Sequence, residues 1–382
     1  MIQQISEIDK KEWNEFVSAS KWGDILQFWQ WGEVKGNEGW QEFFITSDDK
    51  KVRSLALVKK ASFLGNILYI PHGPVFHNVE DLKNSISSWK EEIMKFAKEK
   101  SCFVIEIDPK IGFLREDKED LQTGTADKDQ LEKAKIRQEN IDGLKHFFQK
   151  EIIDTFLEAG FKKTKRNMQP IYKLLYSLEL YDDNLMKLME KNTRYNIRYA
   201  QKKGVVVKEY GSDDPLIEEK IKKFYDLLKE TQQRMGGYPV RPYSSFVELF
   251  KAFKGTDNLS FFEVSYEGEV IAMNISERTK NWASSFYAAS NRLHPNLKSM
   301  YLLRWESIKS AKAYGSRVYD FWGIIPGSKQ HKGYSDNKLS FGGTRIDHIG
   351  IMQIPVSGFK SAIFNSVLPL RSQISALKRK IF

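Results

Sequence analysis

The chain has 382 residues, with 60 Lys plus Arg against 50 Asp plus Glu for a formal net charge of +10. A hydrophobic share of 41% and an aromatic share of 13% suffice for packed cores, which excludes a disordered polymer, and the length predicts two or three domains. The single cysteine, Cys102, excludes a disulfide framework and a cysteine-rich zinc site; no apolar run reaches the roughly 20 residues of a membrane-spanning helix, and the N-terminus lacks the apolar stretch of a secretory signal, so an intracellular, cytoplasmic protein is expected.

From the N-terminus, Phe43–Ser47, a polar turn at 48–51 and Val52–Val58 read as strand, turn, strand, with a further strand at Ile67–Ile70. Leu82, Ile86, Trp89, Ile93 and Phe96 then recur at the alternating spacing of one helix face. A buried strand, Cys102–Asp108, closes the unit. The polar, mixed-charge stretch 116–138 reads as a solvated excursion of the first domain. Leu144, Phe147, Phe148, Ile152 and Phe156 predict one helix face stopped near Gly160; Ile217, Ile221, Phe224 and Leu228 predict another stopped at Gly236-Gly237. The first order then returns: Phe261–Ser265, a turn at 266–269, Val270–Met273, a strand at Trp282–Tyr287, a helix through Leu302, Trp305, Ile308 and Ala311 stopped at Gly315, and a strand at Arg317–Gly323. Hairpin, strand, helix, strand, twice over, predicts two copies of one α/β (α+β) unit, each a mixed sheet flanked by helices.

Lys191, Arg194, Arg198 and Lys202 fall on one helix face with Gly204 as its cap. Such a stripe either follows the phosphates of a tRNA acceptor arm or is a solvated face. Tyr195 and Tyr199 beside it are expected in the core. After Asp347 there is no acidic residue, while Lys360, Arg371, Lys378, Arg379 and Lys380 supply five cations among apolar residues such as Phe359, Ile363 and Phe364. A helix docked on the core is the first expectation there, and peripheral contact with anionic membrane the second.

Strong catalytic signatures are missing. There is no Gly-x-Gly-x-x-Gly, P-loop, His-Glu-x-x-His or Gly-x-Ser-x-Gly, and the six histidines never pair at metal-ligand spacing. Metal enzymes, nucleotide triphosphatases and serine hydrolases are disfavoured, so chemistry by positioning and fixed charge is expected, with no cofactor or metal. The paired units resemble acyltransferases of the GNAT superfamily. However, the turn Ala289–Asn296 lacks the glycines that cradle a CoA pyrophosphate at a helix N-terminus, which argues against CoA as donor.

Four segments carry a more specific resemblance. Ile25–Lys35 (ILQFWQWGEVK), Tyr69–Val75 (YIPHGPV), Asn192–Ala200 (NTRYNIRYA) with Lys203-Gly204-Val205, and Tyr319–Ile324 (YDFWGI) are similar, in this order, to motifs of the Fem family. These are aminoacyl-tRNA-dependent transferases that build peptidoglycan cross-bridges. The resemblance runs from about Lys11 to Ile354. It implies two GNAT-like domains with the C-terminal segment returning to the first: 1–168 plus 346–382 on the acceptor side, and 169–345 on the aminoacyl-tRNA side. Nothing between Ile217 and Phe253 is long enough for the helical-hairpin (coiled-coil) insertion of some members, so the chain resembles the compact FemX-type members.

The resemblance also implies roles. Lys35 and Arg241 match cations that grip the acceptor's diphosphate, a task suited to an ammonium and a bidentate guanidinium. Ser245 stands where the family has a tyrosine, and Tyr243 is the expected substitute. Tyr287 matches an acceptor-site tyrosine, with a buried structural tyrosine as the alternative. Asp108 matches a groove carboxylate that orients or deprotonates the incoming amine, with a strand-end turn as the alternative. Lys338, before Phe341-Gly342-Gly343, matches a lysine beside the aminoacyl ester, although Asn337 replaces the family's first Phe. Asp320 is expected to be structural. The implied reaction joins an aminoacyl-tRNA to the stem-peptide amine of a UDP-linked or lipid-linked muropeptide, carried out by a monomer. Two rival readings remain: an N-acyltransferase using CoA or another small donor, and a non-catalytic tRNA- or membrane-binding protein of the same fold.

Overall fold

A computed structural model describes residues 7–115, 128–234, 236–237, 239–327 and 332–366. The first half contains helices α1 (Glu7–Ala19) and α2 (Trp29–Asn37), strands β1 (Gln41–Thr46), β2 (Arg53–Ser62) and β3 (Gly65–Pro71), helix α3 (Val79–Glu99), and strands β4 (Cys102–Asp108) and β5 (Gly112–Arg115). Helices α4 (Lys128–Lys145) and α5 (Lys150–Glu158) lead through β6 (Lys162–Lys163) to β7 (Tyr172–Ser177), α6 (Asp182–Leu188), α7 (Lys191–Lys202) and β8 (Val206–Gly211). Then follow α8 (Ile217–Arg234), α9 (Tyr243–Ala252), β9 (Leu259–Tyr266), β10 (Glu269–Arg278), β11 (Trp282–Ser290), α10 (Ser299–Tyr314), β12 (Val318–Gly323), α11 (Lys332–Leu339), β13 (Thr344–His348) and β14 (Met352–Pro355).

The strands form two mixed sheets flanked by helices. One has the order β1-β2-β3-β4-β14-β6, the other β5-β13-β7-β12-β11-β10-β9-β8. Each contains the same unit. An antiparallel hairpin and strand (β1-β2-β3; β9-β10-β11) connect through a long helix to a parallel neighbour, β3 beside β4 and β11 beside β12. Strand β4 is buried at all seven positions, as a central strand covered on both faces must be. Helix α3 is capped by Asn78, which accepts from the Asp81 N–H at 2.8 Å, and it buries Leu82, Ile86, Trp89, Ile93 and Phe96. At roughly 1.5–3 kcal/mol for each large side chain, that face holds the helix on its sheet. Helix α10 ends where Gly315 turns left-handed at φ 95°.

The halves exchange strands. Strand β5, from the first half, pairs with β13 in the eight-stranded sheet, while β14 crosses back to pair with β4. Helix α4 also packs on the eight-stranded sheet, burying Ile136 and Leu144, so residues 128–138 are not the solvated excursion that their charge predicts. The chain breaks at 146–149 between α4 and α5, splitting the single apolar face read from Leu144 to Phe156; each part serves a different core. Between the halves lies a shared core, in which Trp31, Leu55 and Val75 meet Phe224, Phe246, Phe261 and Phe286. The helices here are of 18 and 10 residues, α8 and α9, packed into that core. Among the described residues no helix is long and apolar enough to cross a membrane.

Candidate active site

Helix α2 presents Lys35 in its last turn, where a cation suits the carbonyl end of a helix. Three residues on, Glu38 binds it: Lys35 Nζ lies 2.5 Å from Glu38 Oε2, and Arg241 Nη1 lies 2.6 Å from Glu38 Oε1. Both cations sit over the Trp31 indole, at 5.3 and 5.5 Å from its centroid. Burial and the charge of Arg241 lower the Lys35 pKa, against the pull of Glu38. Burial raises that of Glu38, but the hydrogen bond from Lys35 and the charges of Arg241 and Lys35 outweigh it and hold the carboxyl below its usual range. Ser245 also hydrogen-bonds Glu38, which gives the residue in the family's tyrosine position a part in the same cluster.

This cluster opens on a cavity of about 300 Å³ between the two halves, lined by Trp31, Gln169, Arg241, Phe286, Tyr287 and Trp322 among others. The Trp31 indole N–H is buried without a partner among the described residues. Tyr287 packs edge-on to Phe246 at 5.3 Å, and burial raises its pKa. Tyr243 stands on α9 outside the lining, edge-on to Tyr225 at 5.4 Å.

Trp322 forms the far wall in a left-handed conformation, φ 61°, which a bulky residue adopts only when its surroundings impose it. Asp320 imposes it: Oδ1 accepts from the Trp322 N–H at 2.7 Å, while Oδ2 takes the ammonium of fully buried Lys173 at 2.8 Å. The Lys173 ammonium in turn lies 4.6 Å from the Trp322 ring centroid. The next residue, Gly323, admits no side chain, since a Cβ there would fall 2.7 Å from that of Pro170. Its carbonyl accepts from Lys338 Nζ at 2.7 Å, and Lys338 also donates to the Tyr334 hydroxyl. Lys338 is buried; burial first, then the charge of Arg304, pushes its pKa well below the ordinary lysine value.

Asp108 ends β4, buried, accepting from the Tyr69 hydroxyl at 3.2 Å. Burial raises its pKa, opposed by His72, Tyr69 and Lys173. Lys173 therefore acts on both Asp108 and Lys338. A second buried group adjoins it: Asp24 lies 2.6 Å from Lys110 and 3.1 Å from His72 Nδ1, and Lys110 lies 3.7 Å from the centre of Trp282. Among the described residues no three metal-ligating side chains converge.

The structure thus brings Lys35, Arg241 and Tyr287 together and links Asp108 to Lys338 through Lys173 and Asp320. Sequence reading missed Glu38, Lys173, Lys110 and Asp24. Glu38 had a signal in its i,i+3 spacing from Lys35, and Lys173 in being the one charge of the apolar run Tyr172–Ser177. On α7, Lys191, Arg198 and Lys202 are exposed, but Arg194 turns back to the Met189 carbonyl at 2.6 Å. Tyr195 is 62% exposed and stacks on half-buried Tyr199 at 5.8 Å, so this pair lies outside the core that sequence predicted for it. Residues 358–366 form a helix that docks Phe364 on Phe103, and Lys378, Arg379 and Lys380 lie outside the described residues.

Two half-domains that share one cavity, lined in part by the motifs at Ile25–Lys35 and Tyr319–Ile324, define a class. The FemAB family model matches residues 8–267, and the chain belongs to that family. It is 29% identical over 268 residues to lipid II:glycine glycyltransferase of Staphylococcus aureus (strain MRSA252), covering 68% of this chain and 54% of that protein. The same figures hold for the protein of that name from strain USA300, so the match spans about half the length of these curated relatives. Among solved structures, FemX superposes with a TM-score of 0.74 at 17% identity, covering 96% of this chain and 100% of that one. A conserved protein of unknown function from Bacteroides thetaiotaomicron VPI-5482 gives a TM-score of 0.54 at 10% identity, covering 93% and 100%.

Proposed function

We propose that this chain is an aminoacyltransferase that moves an amino acid from aminoacyl-tRNA to the stem-peptide amine of a UDP-linked or lipid-linked peptidoglycan precursor, in the cytoplasm or at the inner face of the membrane. Membership of the FemAB family supports the reaction class, as does the likeness to proteins named for glycyl transfer on lipid II. The observation that carries the reading is the pairing of Lys35 and Arg241, from opposite halves of the chain, at a cavity between the halves.

In this reading the two cations hold the acceptor's diphosphate, and the stem peptide lies along the wall formed by Tyr287 and Trp322. The amine attacks the ester carbonyl of the aminoacyl-tRNA; an N–C bond forms, the ester C–O bond breaks, and the ribose hydroxyl leaves. The donor is already an activated ester, so the reaction needs no cofactor. Asp108, its pKa raised, is suited to hold the amine's proton, and Lys338 to donate to the developing oxyanion. The exposed cations of α7 bind tRNA phosphates. The test is a mass-spectrometric transfer assay pairing a panel of charged tRNAs with both acceptor types. Product from acyl-CoA alone, or none from any charged tRNA, overturns it.

A further inference from the structure

Strand β2 leads away from the Lys35 site. Lys59 on it donates to the Glu38 carbonyl at 3.0 Å, and the strand then runs on to the hairpin tip at 62–65. At about 3.3 Å per residue, four residues carry the chain about 13 Å from the cation cluster to Phe63. Phe63 is 91% exposed, the highest value among the large hydrophobic residues described. Its neighbour Leu64 is buried with Phe103 and Phe364, so the tip is anchored by the same small core that docks residues 358–366. From that second segment Phe359 projects, 79% exposed. Ser361, which donates to the Phe103 carbonyl at 2.7 Å, and Phe364 occupy the docked side.

Neither segment holds an acidic residue: 59–66 reads KKASFLGN and 356–366 reads VSGFKSAIFNS. Lys60 and Lys360 are exposed and make no ion pair among the described residues. The adjoining turn, whose Ser101 carbonyl accepts from the Asn66 N–H, adds Lys98 and Lys100 against Glu99. Two exposed phenylalanines set among unpaired cations fit the boundary of an anionic bilayer, where rings enter the acyl region and ammonium groups meet lipid phosphates.

We infer that the β2–β3 tip and the helix at 358–366 form a membrane-docking surface for anionic lipid, placing the Lys35–Arg241 site at the depth of a lipid-linked diphosphate. The inference rests on the proposed acceptor chemistry for its purpose, and its test uses no substrate, so the two fail separately. The measurement is co-sedimentation of the full chain with phosphatidylglycerol-containing vesicles and with phosphatidylcholine vesicles. Preferential binding to the anionic vesicles is expected. Each of Phe63→Ser and Phe359→Ser weakens it about tenfold, and Lys60→Gln with Lys360→Gln removes the preference for anionic lipid. Transfer to a water-soluble acceptor stays unchanged in these three variants and in the double variant Phe63→Ser with Phe359→Ser. Because Cys102 is buried, Phe63→Cys labelled with an environment-sensitive fluorophore reports insertion selectively, by a blue shift on vesicle addition. No binding by the parent protein, undiminished binding by the double phenylalanine variant, or no spectral shift from the label overturns the inference. So does capture by a protein partner that vesicles fail to displace.

Discussion

Lys35 and Arg241 hold opposite oxygens of one carboxylate, that of Glu38, although they come from different halves of the chain. An anion already sits where the proposed reading places a diphosphate, so binding must exchange one counterion for another. Charge-assisted hydrogen bonds of this kind contribute roughly 1.5–3 kcal/mol each, or about 10–100-fold in affinity. Lys35→Ala or Arg241→Ala is expected to raise the acceptor KM by that factor with the donor KM unmoved, and acceptors lacking a diphosphate should be indifferent to both. Glu38→Gln removes the competitor and should lower the acceptor KM. A rise there instead makes Glu38 a support for the cations.

Asp320 holds Trp322 with one oxygen and Lys173 with the other, so wall geometry and buried charge depend on a single side chain. Breaking a buried ion pair costs about 3–5 kcal/mol, because the surviving charge is left without a partner. Lys173→Met should destabilise by that amount in chemical denaturation. Lys173→Met with Asp320→Leu should recover most of the loss, yet leave transfer low because the Trp322 N–H has lost its acceptor. Full activity in that double variant removes the positioning role.

In the proposed mechanism Lys338 acts as a cation, and burial makes that cation less favourable. Its pKa lies below the ordinary lysine value, so the active form is depleted as pH rises through that lowered pKa. The rate under saturating substrates should therefore fall with rising pH. Lys338→Arg, whose guanidinium stays charged, should abolish this limb even if the rate drops, and Lys338→Met should cost about 100–1000-fold. A rate that rises with pH over the same range instead makes the neutral amine a base.

Much of this was legible in the sequence, for reasons that differ by residue. Periodicity marked α3 and α10, and Gly315 marked the end of α10, since these are local consequences of helix geometry. Lys35 and Arg241 could be named from motifs, but their meeting on Glu38 depends on a fold that joins residues 203 apart. The exchange of β5 and β14 between sheets left no local mark, because a strand of four residues looks alike in either sheet. Helix α4 misled for a different reason: most of its charges face water while Ile136, Asn140 and Leu144 seat it.

On α7, the Tyr195–Tyr199 stack lies among exposed Lys191, Arg198 and Lys202. A ring pair in a basic field suits unpaired bases as well as phosphates, and stacking contributes about 1–3 kcal/mol per base. Charge reversal at Arg198 and Lys202 should weaken donor binding and flatten its salt dependence. Tyr195→Ala should weaken single-stranded RNA about tenfold, duplex RNA little, and Tyr195→Phe should restore binding. Arg194 is committed to Met189, so its reversal should act mainly on stability. Fluorescence anisotropy with labelled RNA of both forms decides, and equal loss on the two forms leaves only the phosphate contacts.

Glu277 on β10 is buried within the fields of Asp24 and Lys110, receiving the Ser284 hydroxyl at 2.6 Å on one oxygen and, among the described residues, nothing on the other. Burial, reinforced by the charge of Asp24 and opposed by Lys110, pushes its pKa up to about 8 from an ordinary 4.5. Between those values the folded chain keeps a proton that the unfolded chain has released, so stability falls as pH rises through the window. The slope is at most about 1.4 kcal/mol per pH unit for a single proton. Glu277→Gln carries no titrating group, and any cost of its amide is the same at every pH. The unfolding free energy of the variant relative to the parent should therefore climb steadily from about pH 5 to about pH 8, then level off once the parent's carboxyl is ionised in both states. Urea melts across that range read the difference directly. A difference that stays flat means that Lys110 holds Glu277 ionised throughout, and the buried charges between the halves then balance without a stored proton.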